Sequence, residues 1–205
     1  EIVSEIKSFL SKKKNSPLKG KVVLINAGPT REPIDPVRFI SNYSSGKMGI
    51  ALADAAAAYG ASVILVLGPV DILPGNSSVK IVNVTTAESM AKACISEFPA
   101  CDIAILSAAV ADYTPGIASK EKIKKNNESL ALKLKPTIDI AASLGKIKKK
   151  NQLLAGFALE TGNEIENAKG KLKRKNLDLI VLNSLKDKGA GFGGDTNRIT
   201  IIDKN

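Results

Sequence analysis

Residues 40–49 read ISNYSSGKMG, directly ahead of the helix-like stretch IALADAAAAYG. Small hydroxyls, two glycines, an asparagine and a lysine crowd the point where a helix begins. A helix N-terminus carries unpaired N–H groups and a partial positive charge. The chemistry that suits it is holding an anion, most often a phosphate. Ser44, Ser45, Gly46 and Lys47 are the candidate ligands. The plainer alternative is a capped helix with packing glycines. The proline-rich stretch before it, PTREPIDPVR, weighs toward function, because long structureless loops in compact domains are commonly functional.

Three other groups could share that work. In SAAVADYTP an apolar strand runs into small residues and then Asp112, which sets a carboxylate at the carboxyl edge of a sheet. It suits a ribose hydroxyl or a metal-bound water; the alternative is an aspartate bonding its own loop. KEKIKK puts Lys120, Lys122, Lys124 and Lys125 on a flexible arm, where a bare charge run would be a solvated face. In KGKLKRKN, Lys171 and Lys175 share a helix face at i, i+4. Like charges there cost stability unless an anion sits between them, or unless Glu164 and Glu166 balance a solvated helix.

Familiar phosphate motifs do not fit. A P-loop fails because Met48 follows Gly46-Lys47 and Ser41 stands where its first glycine belongs. GPTREP replaces the dinucleotide fingerprint after the first strand, and the second strand ends Leu67-Gly68-Pro69 without an acid for a ribose. The chain contains no histidine, which removes Ser-His-Asp and Cys-His catalysis and His-ligated zinc. Cys94 and Cys101 form no disulfide framework or zinc cluster and read as core residues rather than nucleophiles. A reduced, cytoplasmic compartment is the simplest fit. A net charge of +10 attracts polyanions, but 4% aromatics leave few platforms for stacking bases.

The elements that must position these groups alternate. A short amphipathic helix with a solvated linker occupies residues 1–19. Buried strands are expected at KVVLINAG, SVILVLGP, KIVNV, DIAILSAAV, QLLAGFALET, LDLIVLN and RITIID. Helices are expected over about Met48–Tyr59, ending at Gly60, and over TTAESMAKACISEF with a threonine cap and a glutamate shortly after. IDIAASLGKIKKK and GNEIENAKGKLKRKN supply two more. PTREPIDPVR reads as a loop, Asn126–Glu128 as the centre of a lysine-rich β-hairpin, and KDKGAGFGGDTN as a glycine-rich loop. The fold class is α/β: an open, mostly parallel, Rossmann-like three-layer sheet with a hairpin flap inserted. Ligands then sit at the carboxyl ends of the strands, with Gly28–Gly49, Ala108–Lys125 and Phe157–Lys175 as the candidate loops.

Together, NAGPTREPIDPVRFISNYSSGKMG, AAVADY, EKIKK, GFALET and KRKNLDLIVLN resemble the bacterial phosphopantothenoylcysteine synthetase family, the CoaB half of bifunctional CoaBC (Dfp) proteins. The resemblance runs from about Lys19 to the end. It implies that residues 20–205 are the synthetase domain and that residues 1–19 link it to an upstream FMN-dependent decarboxylase. It implies joining of 4′-phosphopantothenate to L-cysteine: CTP, with Mg²⁺, activates the carboxylate as an acyl-cytidylate, and the cysteine amine displaces CMP. The ion would be held largely by phosphates and water, so no protein metal ligands are expected. A homodimer is implied, and neither nucleic acid nor membrane is a partner.

Carried onto matching residues, Asn42 handles the acyl-cytidylate, and Ser44, Ser45, Gly46 and Lys47 border phosphates. Leu106, Ser107 and Ala108 offer backbone groups to the nucleotide, and Asp112 meets its ribose. Lys122 closes over the triphosphate as a catalytic cation. Ile138, Asp139, Ile140 and Ala141 line the cytosine, Phe157 stacks near it, and Lys171 and Lys175 hold phosphates. Arg38 is a weaker candidate for the phosphopantothenate end.

The chain departs from the family where many relatives read K-N-P-D-I; here Lys135-Pro136-Thr137-Ile138-Asp139-Ile140 stands instead, which bears on base selectivity. The family also continues past RITIIDKN, so a shortened C-terminus is expected. Two competing readings are a basic nucleic-acid-binding module, which would bind with steep salt dependence, and a Rossmann-like NAD(P) oxidoreductase, which would bind a dinucleotide.

Overall fold

The computed structural model describes residues 16–125, 129–160, 162–184 and 199–204. The amphipathic N-terminal stretch, residues 126–128 at the centre of the expected hairpin and the whole of the glycine-rich loop lie outside them. The strands are β1 (Val22–Ala27), β2 (Arg31–Pro33), β3 (Phe39–Ser41), β4 (Ser62–Leu67), β5 (Lys80–Asn83) and β6 (Ile103–Leu106), then β7 (Tyr113–Pro115), β8 (Leu134–Pro136), β9 (Leu153–Glu160), β10 (Leu179–Ser184) and β11 (Ile199–Asp203). The helices are α1 (Lys47–Ala58), α2 (Ala87–Glu97), α3 (Ile140–Ile147) and α4 (Glu164–Arg174).

Seven strands form one sheet in the order β11-β10-β9-β6-β1-β4-β5. All neighbours are parallel except β11, which closes the edge antiparallel to β10. β1 explains why its sequence is a continuous apolar run rather than an alternating one. Leu24 faces one core, with Met90, Cys94 and Phe98 from α2 and its 3₁₀ extension, Leu144 from α3 and Leu172 from α4. Val23 and Ile25 face the other, with Ile50, Ala53 and Ala56 from α1. A parallel strand covered on both faces has no water-facing side to make polar. The result is the expected three-layer α/β arrangement.

Chain order reverses beside β1. β1 leads to β4 and β5 on one side, while β6, β9 and β10 extend on the other. The loops leaving β1 and β6 therefore part at their carboxyl ends, and a crevice opens between them.

Several local expectations are corrected. PTREPIDPVR is not structureless: β2 and β3 pair antiparallel within and just beyond it, Arg31 with Ser41 and Pro33 with Phe39. Prolines sit comfortably there because a two-stranded ribbon has free edges. The cap of α2 is Thr86 as expected, but its reciprocal partner is Ser89, not Glu88. A serine hydroxyl can both donate and accept at that distance, so it replaces the glutamate of the usual capping box. β6 stops at Leu106, so Asp112 lies beyond the sheet edge, just before β7. Phe157 lies inside β9 and not in the loop after it. The lysine-rich flap is bracketed by β7 and β8, which pair antiparallel.

α1 ends as expected, with Gly60 at φ +90° after Ala58 and Tyr59. It starts on Gly46, also left-handed at φ 76°. The helix lies close to β1 because its inner face is glycine and alanine. A Cβ on Gly49 would overlap Ala27 Cβ and lie 2.5 Å from Ser107 Oγ. Gly49→Ala is expected to cost about 1–3 kcal/mol through overpacking. Chemical denaturation should read this as a lowered midpoint with an unchanged slope.

Candidate functional site

The crevice between β1 and β6 widens into a cavity of about 940 Å³, within the range of small-molecule sites. Its floor is held by a residue that sequence reasoning missed. Asn26, only 2% exposed, lies one residue before the end of β1, with its carbonyl accepting Ser107 Oγ (2.6 Å) and Ser107 N (3.3 Å). Its side-chain Oδ1 accepts Ala108 N (3.0 Å). A buried amide on a parallel strand is satisfied only if the neighbouring loop turns toward it. That constraint fixes Leu106, Ser107 and Ala108 along the cavity wall.

The opposite wall is the start of α1. Ser44, Ser45, Gly46 and Lys47 all line the cavity. The N-cap is glycine and offers no side-chain acceptor; Ser44 Oγ instead accepts Gly46 N at 3.3 Å. The positive end of the helix dipole thus faces the cavity with small hydroxyls around it. Asn42 is exposed at the rim, and its Nδ2 donates to Ala109 O (3.0 Å). Ser41 Oγ donates to Thr30 O (2.7 Å) and so steadies the preceding turn.

The far wall combines three elements. Asp112 lines the cavity, and its carbonyl accepts Thr137 N (2.9 Å), while Thr137 Oγ1 donates to Ala111 O (2.6 Å). Thr137, in the segment that departs from the family pattern, therefore staples the β8–α3 connection onto the loop after β6. Ile138, Asp139, Ile140 and Ala141 follow along the wall, and Phe157 reaches it from β9. Asp139 is the N-cap of α3, its carboxylate accepting Ala142 N (2.9 Å).

Lys171 and Lys175 line the cavity from the end of α4. The idea that their charges need an anion between them is corrected in part: Lys175 follows the helix as its C-cap and pairs with Asp139 at 2.9 Å. Tertiary contact supplied a counter-charge that the helix pattern alone could not reveal. Asn183, also missed, lines the cavity with its Oδ1 buried and without a hydrogen-bond partner among the described residues. Its signal was weak, a single amide at the end of an apolar strand.

Two expected residues do not line this cavity. Arg38 is engaged by Asp35 and by the carbonyl of Ile123. Lys122 is exposed on the flap. A second hollow of about 560 Å³ adjoins the first and shares Asn42, Ser44, Ser45 and Lys47 with it. Its outer wall includes Phe39, over whose ring Arg31 lies at 4.9 Å. Asn42 thus stands where two hollows meet.

Burial pushes the Cys94 thiol up to about 12 and the Cys101 thiol up to about 11, so neither is a nucleophile near neutral pH. Among the described residues, no three His, Cys, Asp or Glu side chains converge as a metal site, and no helix is long and apolar enough to cross a membrane.

A sequence profile of the family described as DNA/pantothenate metabolism flavoprotein C-terminal domain matches residues 18–205. A relative from an unknown prokaryotic organism, named cysteine/cysteine sulfinic acid decarboxylase, is 66% identical over 100% of this chain and 57% of its own length. The coenzyme A biosynthesis bifunctional protein CoaBC of Bacillus subtilis (strain 168) is 49% identical over 99% of this chain and 50% of that protein. The chain thus spans about half the length of the curated relatives it matches. The crystal structure of the C-terminal domain of a coenzyme A biosynthesis bifunctional protein CoaBC is 43% identical, with a TM-score of 0.78 over 93% of this chain and 85% of that one.

The Asp139–Lys175 pair makes the site sensitive to acid. Burial pushes the Asp139 carboxyl up, but the Ala142 N–H and the Lys175 ammonium outweigh it and hold the group below its ordinary 3.8. A carboxylate depressed in the folded state contributes stability that is present above its unfolded pKa and lost as pH falls through the folded one. Asp139→Asn keeps an acceptor for the helix cap but loses the ion pair. Its thermal midpoint should lie below that of the parent near neutral pH, and the gap should narrow as pH falls below 3.8.

Proposed function

The chain belongs to the DNA/pantothenate metabolism flavoprotein C-terminal domain family, and from that membership we propose that it is a phosphopantothenate–cysteine ligase of coenzyme A biosynthesis. One observation carries the reading. A single cavity at the sheet's switch point gathers the mouth of α1, Asp112, the 138–141 segment, Phe157 and two lysines of α4 from distant parts of the sequence. Phosphate groups, a ribose and a base need that set of partners, and CTP supplies all three.

In the first step the carboxylate of 4′-phosphopantothenate attacks the α-phosphorus of CTP. An acyl–phosphate bond forms, and the bond to pyrophosphate breaks. In the second, the amine of L-cysteine attacks the acyl carbon, the amide forms, and CMP leaves with release of one proton. Neither step needs a side-chain nucleophile, so the absence of histidine is no obstacle. Positioning and charge neutralisation do the work.

Lys171 and Lys175 draw the triphosphate to one end of the cavity, with Lys175 oriented by Asp139. The mouth of α1 receives phosphate oxygens at the other. Backbone groups of residues 106–108, fixed by Asn26, read the nucleotide beside Asp112. The departure at Thr137 and Ile138 leaves this wall intact, because Thr137 is bonded to Asp112 and Ala111. Asn42 sits between the two hollows with Nδ2 committed to Ala109, so its amide oxygen is the atom left to accept from the incoming amine. Mg²⁺ would be carried by triphosphate oxygens and water rather than by a protein ligand set, and it would neutralise phosphate charge. A homodimer suits the exposed apolar surface at Val37, Phe39, Tyr43 and Ile117. Residues 1–19 would connect the domain to an FMN-dependent decarboxylase in a longer, cytoplasmic protein.

The 66% identical relative carries a decarboxylase name, which belongs to a protein of which this chain spans 57%. That reading requires CO₂ release from cysteine. The ligase reading requires pyrophosphate release from CTP that depends on 4′-phosphopantothenate, and cysteine-dependent amide. It is overturned if pyrophosphate release is absent or independent of phosphopantothenate in the folded, full-length protein. ATP as a parallel nucleotide reads the base preference. Asn42→Ala is expected to retain pyrophosphate release while amide formation falls by about 10²–10³-fold, as for the loss of one preorganised polar group. Quenched time courses of the acyl-cytidylate and the amide would check this.

A further inference from the structure

Asp35 is a carboxylate whose side chain is fully buried, in a hairpin that never enters the main cavity. Burying a carboxylate is costly unless every oxygen is satisfied, so its partners reveal its purpose. Oδ1 accepts the N–H groups of Val37 and Arg38, both at 2.8 Å, which closes the β2–β3 turn. Oδ2 accepts Arg38 Nε at 3.0 Å and also Ile123 N at 3.1 Å, from the lysine-rich flap. Arg38 then returns across the same gap, its Nη2 donating to Ile123 O at 2.8 Å. One acid–base pair thus grips both backbone groups of one flap residue.

The flap is tied on the other side as well. Ser119 N donates to Ile34 O (2.8 Å), and Ser119 Oγ donates to Glu121 O (2.6 Å). Lys122 therefore lies between two anchored points on what the sequence presents as a solvated, flexible run. The Arg38 guanidinium beside Asp35 holds the carboxyl well below the usual carboxylate range, so the pair stays charged through the physiological range. β3 follows the clamp directly and ends at Ser41, beside Asn42.

We propose that Asp35 and Arg38 are positioning residues that set the Lys122 ammonium relative to Asn42 by clamping the backbone of Ile123 to the β2–β3 hairpin. The assignment rests on the ligase reading for what Lys122 does, but not for the clamp itself. The hairpin is then one rigid mount for both residues: it delivers Asn42 through the chain and Lys122 through hydrogen bonds. Replacement of Asp35 should act on pyrophosphate release, the step that Asn42 does not serve, only through Lys122.

The test has two arms. In the full-length protein, Asp35→Asn should lower the thermal midpoint, because it strips Arg38 of its buried charge partner, while the protein stays folded at the assay temperature. It should also raise the rate of tryptic cleavage at Lys120, Lys122, Lys124 and Lys125, mapped by mass spectrometry, by about tenfold for the loss of a charge-assisted bond. Ile123→Pro removes the N–H that Asp35 receives while keeping the acid–base pair, and should open the sites at Lys120, Lys124 and Lys125, the Lys122–Pro bond itself resisting trypsin; it serves if Asp35→Asn does not fold. In the second arm, Asp35→Asn and Lys122→Gln should each lower kcat for pyrophosphate release, and the double variant should fall no further than Lys122→Gln alone. An unchanged cleavage pattern in both clamp variants, or losses that multiply in the double variant, would overturn the proposal. If the parent releases no pyrophosphate, the functional reading fails while the cleavage arm still decides the clamp.

Discussion

The site depends on one buried amide. Asn26 lies one residue before the end of β1, at the place where its two neighbours, β4 and β6, lead the chain in opposite directions. Its carbonyl and side-chain oxygen together hold Ser107 and Ala108. A polar group at 2% exposure costs free energy unless those bonds form, so the loop after β6 has little freedom to settle elsewhere. Gly49 on α1 packs against Ser107 as well, and against Ala27, the residue that follows Asn26. The floor and two walls of the cavity are thus one packed unit, and the groups around the rim hang from it.

Charge is used in two ways that composition does not separate. A net charge of +10 suggests a surface waiting for anions. Several cations are instead committed within the fold. Lys148 and Lys204 both hold Asp178, and Lys21 holds Asp102 at the start of β1. Arg38 holds Asp35, and Lys175 holds Asp139. These last two differ in consequence. At Lys175 the partner aims a cation along the cavity wall, while at Arg38 it organises a backbone at a distance from the cavity. Basic residues divided among separate elements and paired with carboxylates in this way do not make the continuous basic face that a nucleic-acid module would need.

The family membership and the geometry bear on the function from different sides. The profile covers residues 18–205, and the relatives extend well beyond this chain, so their names describe more than this domain. The geometry narrows the choice within the chain. Two hollows share Asn42 and the mouth of α1, an arrangement suited to bringing two substrates to one point.

The sequence by itself determined the architecture. Continuous apolar runs such as VVLINA and LLAGFALE, alternating with helical periods, allow little but a parallel sheet covered on both faces, because each strand must hide two sides. It also marked Ser44, Ser45, Gly46 and Lys47, since glycine, serine and lysine at a helix mouth have a local physical signature, whereas residues 106–108, 138–141 and Phe157 were marked only by the family resemblance. Tertiary structure decided what has no local signature. Asn26 and Asn183 were single amides in apolar strands until the sheet placed them at the crevice. PTREPIDPVR read as a loop because a three-residue ribbon is stable only when docked, and its docking is through Glu32 to the N-terminus of α2 and Arg31 N to Thr85 O. The lysine flap read as solvated because a buried carboxylate far away in sequence, Asp35, is what holds it. Periodicity records what each residue needs from its own element, and only the folded chain decides which distant partner supplies the rest.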